Sequence, residues 1–116
     1  IGTAFLATPE CQSHDVHKNA VIAATGDDTM HTAAFSGRAA RTITNPCARE
    51  MAKVIDWPDF PLLNAATVPI RAATAKDGSG AGFALWAGQA VGLARAETTS
   101  EVSERLVAET KALLYQ

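Results

Sequence analysis

The sequence predicts a mainly α-helical chain with one short β-hairpin, and three observations carry that expectation. Apolar residues, alanine foremost, make up 47% of the chain, a helix-leaning and non-disordered composition. Apolar positions recur at spacings of three and four in several stretches. Only the stretch spanning residues 29–44 is β-compatible on both sides of a glycine turn. A length of 116 residues suits one domain, or one piece of one.

The first element is a short helical run, Ala4-Phe5-Leu6-Ala7, entered through Gly2-Thr3. Thr8-Pro9-Glu10 interrupts it with a capping hydroxyl followed by a proline suited to a first helical position, so a second helix is expected to start near Pro9 or Ser13. Val16, Ala20, Val21, Ala23 and Ala24 form its apolar stripe, and Gly26 supplies the stop. Asp27-Asp28-Thr29 then makes a turn whose side-chain oxygens can accept from nearby amides. In the hairpin, Thr29, His31, Ala33 and Phe35 alternate before the turn, and Ala39 to Thr44 returns.

Asn45-Pro46 begins the next helix, with Ala48, Met51, Val54 and Ile55 on one face and Arg49, Glu50 and Lys53 on the other. Trp57-Pro58 ends it, and Asp59 to Leu63 is an extended connector. Asn64 to Lys76 is helical by propensity but contains Pro69, which costs about 3 kcal/mol in a helix interior, so a broken helix is expected. Asp77 to Gly82 holds three glycines in six residues and reads as a mobile loop. Leu85 to Ala94 is expected to be helical although Gly88 and Gly92 each cost roughly 1 kcal/mol there, which calls for close approach of another group. Thr98 with Glu101 makes a capping box, and Val102, Leu106, Val107, Leu113 and Leu114 form the stripe of the final helix, with Glu101, Arg105 and Glu109 pairing on its solvent side.

Ten Lys and Arg against twelve Asp and Glu give a net charge of −2 with the basic residues dispersed, which argues against nucleic acid or an anionic membrane as partner. No apolar run approaches the ~18 residues of a membrane span, and no basic segment with an apolar core opens the chain. A cytoplasmic setting is the default expectation. Cys11 and Cys47 stand far apart without a CxxC pair, so neither a metal site nor a disulfide framework is expected. His14 and His17 lie three apart on a helix that also carries Asp15, but with no third ligand they are expected on a solvated face; His31 is expected to be structural.

The stretch Phe35-Ser36-Gly37-Arg38-Ala39-Ala40-Arg41 is where a glycine turn, a hydroxyl and two arginines fall together. A guanidinium there can receive an anionic group, or clamp the loop to a carboxylate. Ser36-Gly37-Arg38 with Ala40-Arg41, the opening Ile1-Gly2-Thr3-Ala4-Phe5-Leu6-Ala7-Thr8-Pro9-Glu10, and Trp86-Ala87-Gly88-Gln89-Ala90-Val91-Gly92-Leu93 together resemble the nitronate monooxygenase family, formerly called 2-nitropropane dioxygenases. The resemblance runs from Ile1 to about Leu93.

It implies the C-terminal portion of a (β/α)8 TIM-barrel flavoenzyme: residues 1–25 as helices after the last barrel strand, 26–94 as a helical segment covering the cleft, with the hairpin at 29–44, and 95–116 as a C-terminal helix. The remainder of the barrel would lie upstream of Ile1. By the same resemblance Ile1, Gly2 and Thr3 hold the FMN phosphate, which suits the free amides of a helix start. Ser36, Gly37, Arg38, Trp86 and Gln89 are then candidates for the substrate cleft, Trp86 as pocket wall or core packing and Gln89 as a combined donor and acceptor. The implied reaction converts alkyl nitronates with dioxygen to a carbonyl compound and nitrite. The family's catalytic histidine lies in a motif with no counterpart here, so no catalytic residue is assigned. A flavin-dependent enoyl reductase is the nearest enzymatic alternative, and a non-enzymatic helical binding module the alternative of a different class.

Overall fold

The computed structural model describes residues 1–115. Five α-helices and one hairpin follow in chain order: α1 (Gly2–Leu6), α2 (Asp15–Ala23), β1 (Thr29–Thr32), β2 (Ala40–Ile43), α3 (Pro46–Met51), α4 (Leu62–Lys76) and α5 (Thr99–Leu114), with short 3-10 turns at Gly26–Asp28 and Val91–Leu93. The mainly helical expectation with one hairpin therefore holds. Gln116, the end of the expected C-terminal helix, lies outside the described residues.

Several boundaries follow from local chemistry. Asn45 caps α3 through its side chain to the Ala48 amide, with Pro46 at the first helical position. Thr98 and Glu101 form the capping box of α5. Asp28 closes the turn after α2 by accepting from the Thr25 amide and hydroxyl at 2.6 and 2.8 Å.

Other expectations are corrected. The second helix starts not at Pro9 or Ser13 but at Asp15, because the His14 Nδ1 caps it by accepting from the Val16 amide, while Ser13 is drawn back to the Leu6 carbonyl. It stops at Ala23, before Gly26, which opens the 3-10 turn instead. The hairpin pairs Thr29 with Ile43 and Thr32 with Ala40. The alternation through Ala33 and Phe35 fails, since the chain turns after Thr32 and buries both Ala34 and Phe35. The helix expected through Ile55 ends at Met51, leaving Ile55 fully exposed. Pro69 does not break α4, which runs through it on an anchor formed by Thr67, whose hydroxyl donates to the Phe35 carbonyl at 2.7 Å.

The largest correction concerns Leu85–Ala94, which is not an α-helix. Trp86 bridges to Thr42, the Ile43 amide donates to the Leu85 carbonyl at 2.8 Å, and the Ala87 amide donates to the Arg41 carbonyl at 3.2 Å. The segment thus satisfies the second edge of β2, and an open strand edge outweighs a weak helix propensity weakened further by two glycines. A Cβ at Gly92 would lie 3.4 Å from the Gly26 nitrogen, at the edge of ordinary van der Waals contact.

One apolar cluster joins Ala7, Val21, Ile43, Leu85, Ala87 and Val91, and a second joins Phe35, Ala48 and Ala84. Val21 is wholly buried, and Val16 and Met51 are half-buried. The α5 stripe is covered only at its start: Val102 is fully buried, whereas Leu113 and Leu114 are 74% and 71% exposed. Packing against α1 reaches only the first turns of a helix about 24 Å long. Its solvent-side pairing also differs, because Arg105 bonds Glu97 at 2.9 Å and Glu109 at 3.7 Å while Glu101 is occupied by the cap.

Candidate functional site

The three sequence stretches singled out above do not converge on one point. Two of them meet. Thr3, at the second position of α1, accepts a hydrogen bond from the Gly88 amide on its Oγ1 at 2.9 Å, across 85 positions of chain. Gly2 and Ile1 are exposed beside it, and Ile1 caps α1 without a side-chain bond. The first turn of α1 therefore lacks a capping side chain, and of its amides that of Ala4 donates to the Ile1 carbonyl at 2.9 Å.

Nothing within the chain requires glycine at position 2. A Cβ built there meets no atom within 4 Å. A cavity of about 220 Å³ lies alongside, lined by Ile1, Thr3, Gly88, Leu93, Arg105 and Leu106 among others. The Arg105 guanidinium is mostly buried there, and its Nη2 sits 2.9 Å from Glu97 Oε2 without an aligned hydrogen bond. The uncapped start of α1 and the Thr3 hydroxyl stand at this edge, while Arg105 is paired through its Nε with Glu97 at 2.9 Å, and Glu109 also lines the cavity.

Trp86 is half-buried and packs its ring perpendicular to Phe35, with centroids 5.6 Å apart. Its indole serves core packing on that face. Gln89, two residues beyond the turn closed by Ala87, is exposed. Gly88 meets Thr3 through its amide, whereas the Gln89 carbonyl oxygen lies beside Gly26, 3.5 Å from where a Cβ there would stand, and Gln89 does not line the cavity.

Ser36, Gly37 and Arg38 occupy the hairpin tip and face a different neighbour. Gly37 has φ +81°, and a Cβ there would lie 2.5 Å from the Pro58 carbonyl oxygen and 2.7 Å from the Phe60 nitrogen. Ser36 folds its hydroxyl onto the Arg38 backbone, accepting from its amide at 3.2 Å. The Arg38 guanidinium stacks over the Phe60 ring, 4.3 Å from its centroid. The tip is thereby clasped to the 58–60 connector. Arg41 donates to the Thr29 hydroxyl at 2.9 Å, across the hairpin.

The expectation of a solvated histidine face is corrected for His17, which is buried, with its Nε2 2.8 Å from the Trp86 carbonyl oxygen. Burial lowers its pKa below the usual value, and the Trp86 carbonyl opposes that shift. His14 and His31 are exposed. Cys47 packs its thiol against the Met51 sulfur and burial raises its pKa, whereas the pKa of the half-buried Cys11 is lowered by its bonds to Ser13. No group of three or more His, Cys, Asp or Glu that could hold a metal occurs among the described residues. No helix among them is long and apolar enough to cross a membrane.

Sequence reasoning also missed the reach of Asn45. Beyond capping α3, its Nδ2 donates to the carbonyls of Gly80 and Phe83 at 2.9 and 2.7 Å and so tethers the glycine-rich loop. A capping asparagine is visible in sequence; its second set of partners, more than thirty positions away, is not.

The sequence model of the nitronate monooxygenase family matches residues 1–109. The chain belongs to that family. A probable nitronate monooxygenase of Staphylococcus haemolyticus (strain JCSC1435) is 35% identical over 115 residues, covering 98% of this chain and 32% of the relative. That of Staphylococcus aureus (strain Newman) is 33% identical over 108 residues, covering 92% and 30%. The chain thus spans about a third of the length of these relatives. Among solved structures, nitroalkane oxidase from Streptomyces ansochromogenes superposes with a TM-score of 0.86 at 39% identity, covering 94% of this chain and 31% of that one. FabK from Thermotoga maritima superposes with a TM-score of 0.73 at 24% identity over 97% of this chain and 36% of that one, a likeness of fold.

Proposed function

We propose that this member of the nitronate monooxygenase family forms the C-terminal part of an FMN-dependent (β/α)8 enzyme that converts alkyl nitronates with dioxygen to a carbonyl compound and nitrite. The observation that carries the reading is the 2.9 Å bond from the Gly88 amide to Thr3 Oγ1, which unites two motifs separated in sequence on one exposed edge. Family membership and the likeness to a nitroalkane oxidase supply the chemical class.

In this reading the uncapped start of α1, with Ile1, Gly2 and Thr3, holds the phosphate. The Thr3 hydroxyl, already accepting from Gly88, has its own proton free to donate to a phosphate oxygen. When bound, FMN supplies the electron transfer between nitronate and dioxygen. The chain's own part is to anchor one end of that group, to place Gln89 at the rim with hydrogen-bonding capacity of both signs, and to wall one side of the cleft. The family's catalytic histidine is expected in the upstream barrel.

The test is to express the uninterrupted reading frame that contains this segment. The product is expected to carry about one FMN per chain and to consume dioxygen and release nitrite when given a nitronate. Thr3→Val should lower flavin retention on dilution. A product without flavin and without nitronate-dependent oxygen uptake would favour the non-enzymatic helical module, and flavin with NAD(P)H-dependent reduction of an enoyl thioester would favour the reductase.

A further inference from the structure

We propose that His17 is a positioning residue for the Trp86–Gln89 turn, a role that deepens the function proposed above and, in its catalytic arm, rests on it. The turn has no helix or full strand of its own to hold its shape. Four backbone groups are tied instead: the Trp86 carbonyl to His17 Nε2 at 2.8 Å, the Ala87 amide to the Arg41 carbonyl at 3.2 Å, the Gly88 amide to Thr3 Oγ1 at 2.9 Å and, within the following 3-10 turn, the Gly88 carbonyl to the Val91 amide at 3.1 Å. One tie is local, one comes from the sheet edge and two from helical side chains, so α1 and α2 together set the direction in which Gln89 leaves the core.

His17 suits this task on several counts. It is 7% exposed, on the face of α2 turned to the core beside Val21. Its ring lies edge-on to Phe83, with centroids 6.0 Å apart and planes at 62°, and the His14 ring contacts the same phenylalanine at 5.7 Å. A carbonyl accepts, so Nε2 carries the proton, which assigns the Nε2–H tautomer to the neutral ring. An unpaired carbonyl at a part-buried position is disfavoured, so loss of this donor should turn the Trp86 peptide toward another donor and carry Ala87–Gln89 with it.

The proposal is tested in the full-length flavoenzyme with His17→Met, which fills the space without a donor, and His17→Gln, which restores a side-chain N–H at comparable reach. In His17→Met, hydrogen exchange at the Gly88 amide should speed up by about tenfold or more, and kcat/KM for the nitronate should fall by about tenfold with flavin content unchanged. His17→Gln should bring both to within about threefold of the parent. Unchanged exchange and kinetics in His17→Met would overturn the proposal, as would equal losses in both variants accompanied by loss of flavin and thermal stability, the mark of a merely structural residue. If neither variant folds, nitrogen-15 spectra of the parent decide it: a proton on Nδ1 in place of Nε2 overturns the assignment. Absence of nitronate turnover in the parent would defeat the proposed function, while exchange at Gly88 would still judge the positioning role.

Discussion

Gly37 and Arg38 show how much a single position can carry. The left-handed backbone at Gly37 is disfavoured for any other residue by about 1–2 kcal/mol, and its would-be Cβ collides with the backbone of Pro58 and Phe60, which cannot yield as a flexible side chain does. Gly37→Ala is therefore expected to cost about 2 kcal/mol or more, read as a lowered urea midpoint. Arg38 lies over Phe60 on the exposed side of the same contact, where such stacking contributes about 0.5–1 kcal/mol. The clasp predicts that Arg38→Lys, which keeps the charge but loses the flat stacking surface, lowers stability slightly and leaves the nitronate KM within about twofold. A large rise in KM with unchanged stability would instead identify Arg38 as an anion contact. His17 makes a pH prediction at the same scale. Its pKa lies below 6.5 in the folded chain because it is buried, so the unfolded chain binds more protons between the two values. Stability is then complete above 6.5 and is lost as the pH falls through the depressed value. Denaturant midpoints should fall on that limb in the parent and stay flatter in His17→Gln.

At the scale of elements, the contrast between α3 and the Leu85–Ala94 segment explains what sequence can and cannot convey. The start of α3 was legible because Asn45, Pro46 and the Ala48 amide are near neighbours in the chain, and the same holds for Thr98 and Glu101 at α5. The Leu85–Ala94 segment was misread because its partners, Arg41, Ile43 and Thr3, are distant in sequence and override its own propensity. His17 was misplaced on solvent for the same reason, its partner lying 69 positions away. The family motifs were legible as patterns, yet which of them meet in space was not. Two variants separate local from distant terms. Asn45→Ala removes a cap and strands the carbonyls of Gly80 and Phe83, so a loss of about 2–4 kcal/mol is expected, with faster exchange throughout residues 77–83. Pro69→Ala should act in the opposite sense: α4 already runs through this exposed position, so regaining a helix donor should stabilise by roughly 1–3 kcal/mol, less the entropy that proline withholds from the unfolded chain. No change in midpoint for Pro69→Ala would mean that the helix has relaxed fully around the ring.

For the molecule as a whole, the decisive feature is apolar surface left uncovered beside well-formed cores. Ile1, Leu93, Val107, Leu113 and Leu114 are all more than half exposed, and the first two border the same cavity that reaches α5 at Leu106. The chain is elongated, with extents of 49 × 28 × 23 Å, because the later turns of α5 project past everything that packs on its start. A chain that spans about a third of its relatives has an evident candidate for the cover, namely the barrel proposed to lie upstream. If that is so, Leu113→Glu with Leu114→Glu should have opposite effects in two settings. In the 116-residue chain alone it should reduce self-association and dye binding by exposed apolar surface, since it removes a sticky patch without touching a core. In the full-length protein the same pair should destabilise, by burying carboxylates without partners. Equal behaviour in both settings, read by sedimentation and by thermal unfolding side by side, would show that α5 meets solvent in the complete protein and that the barrel does not close over it.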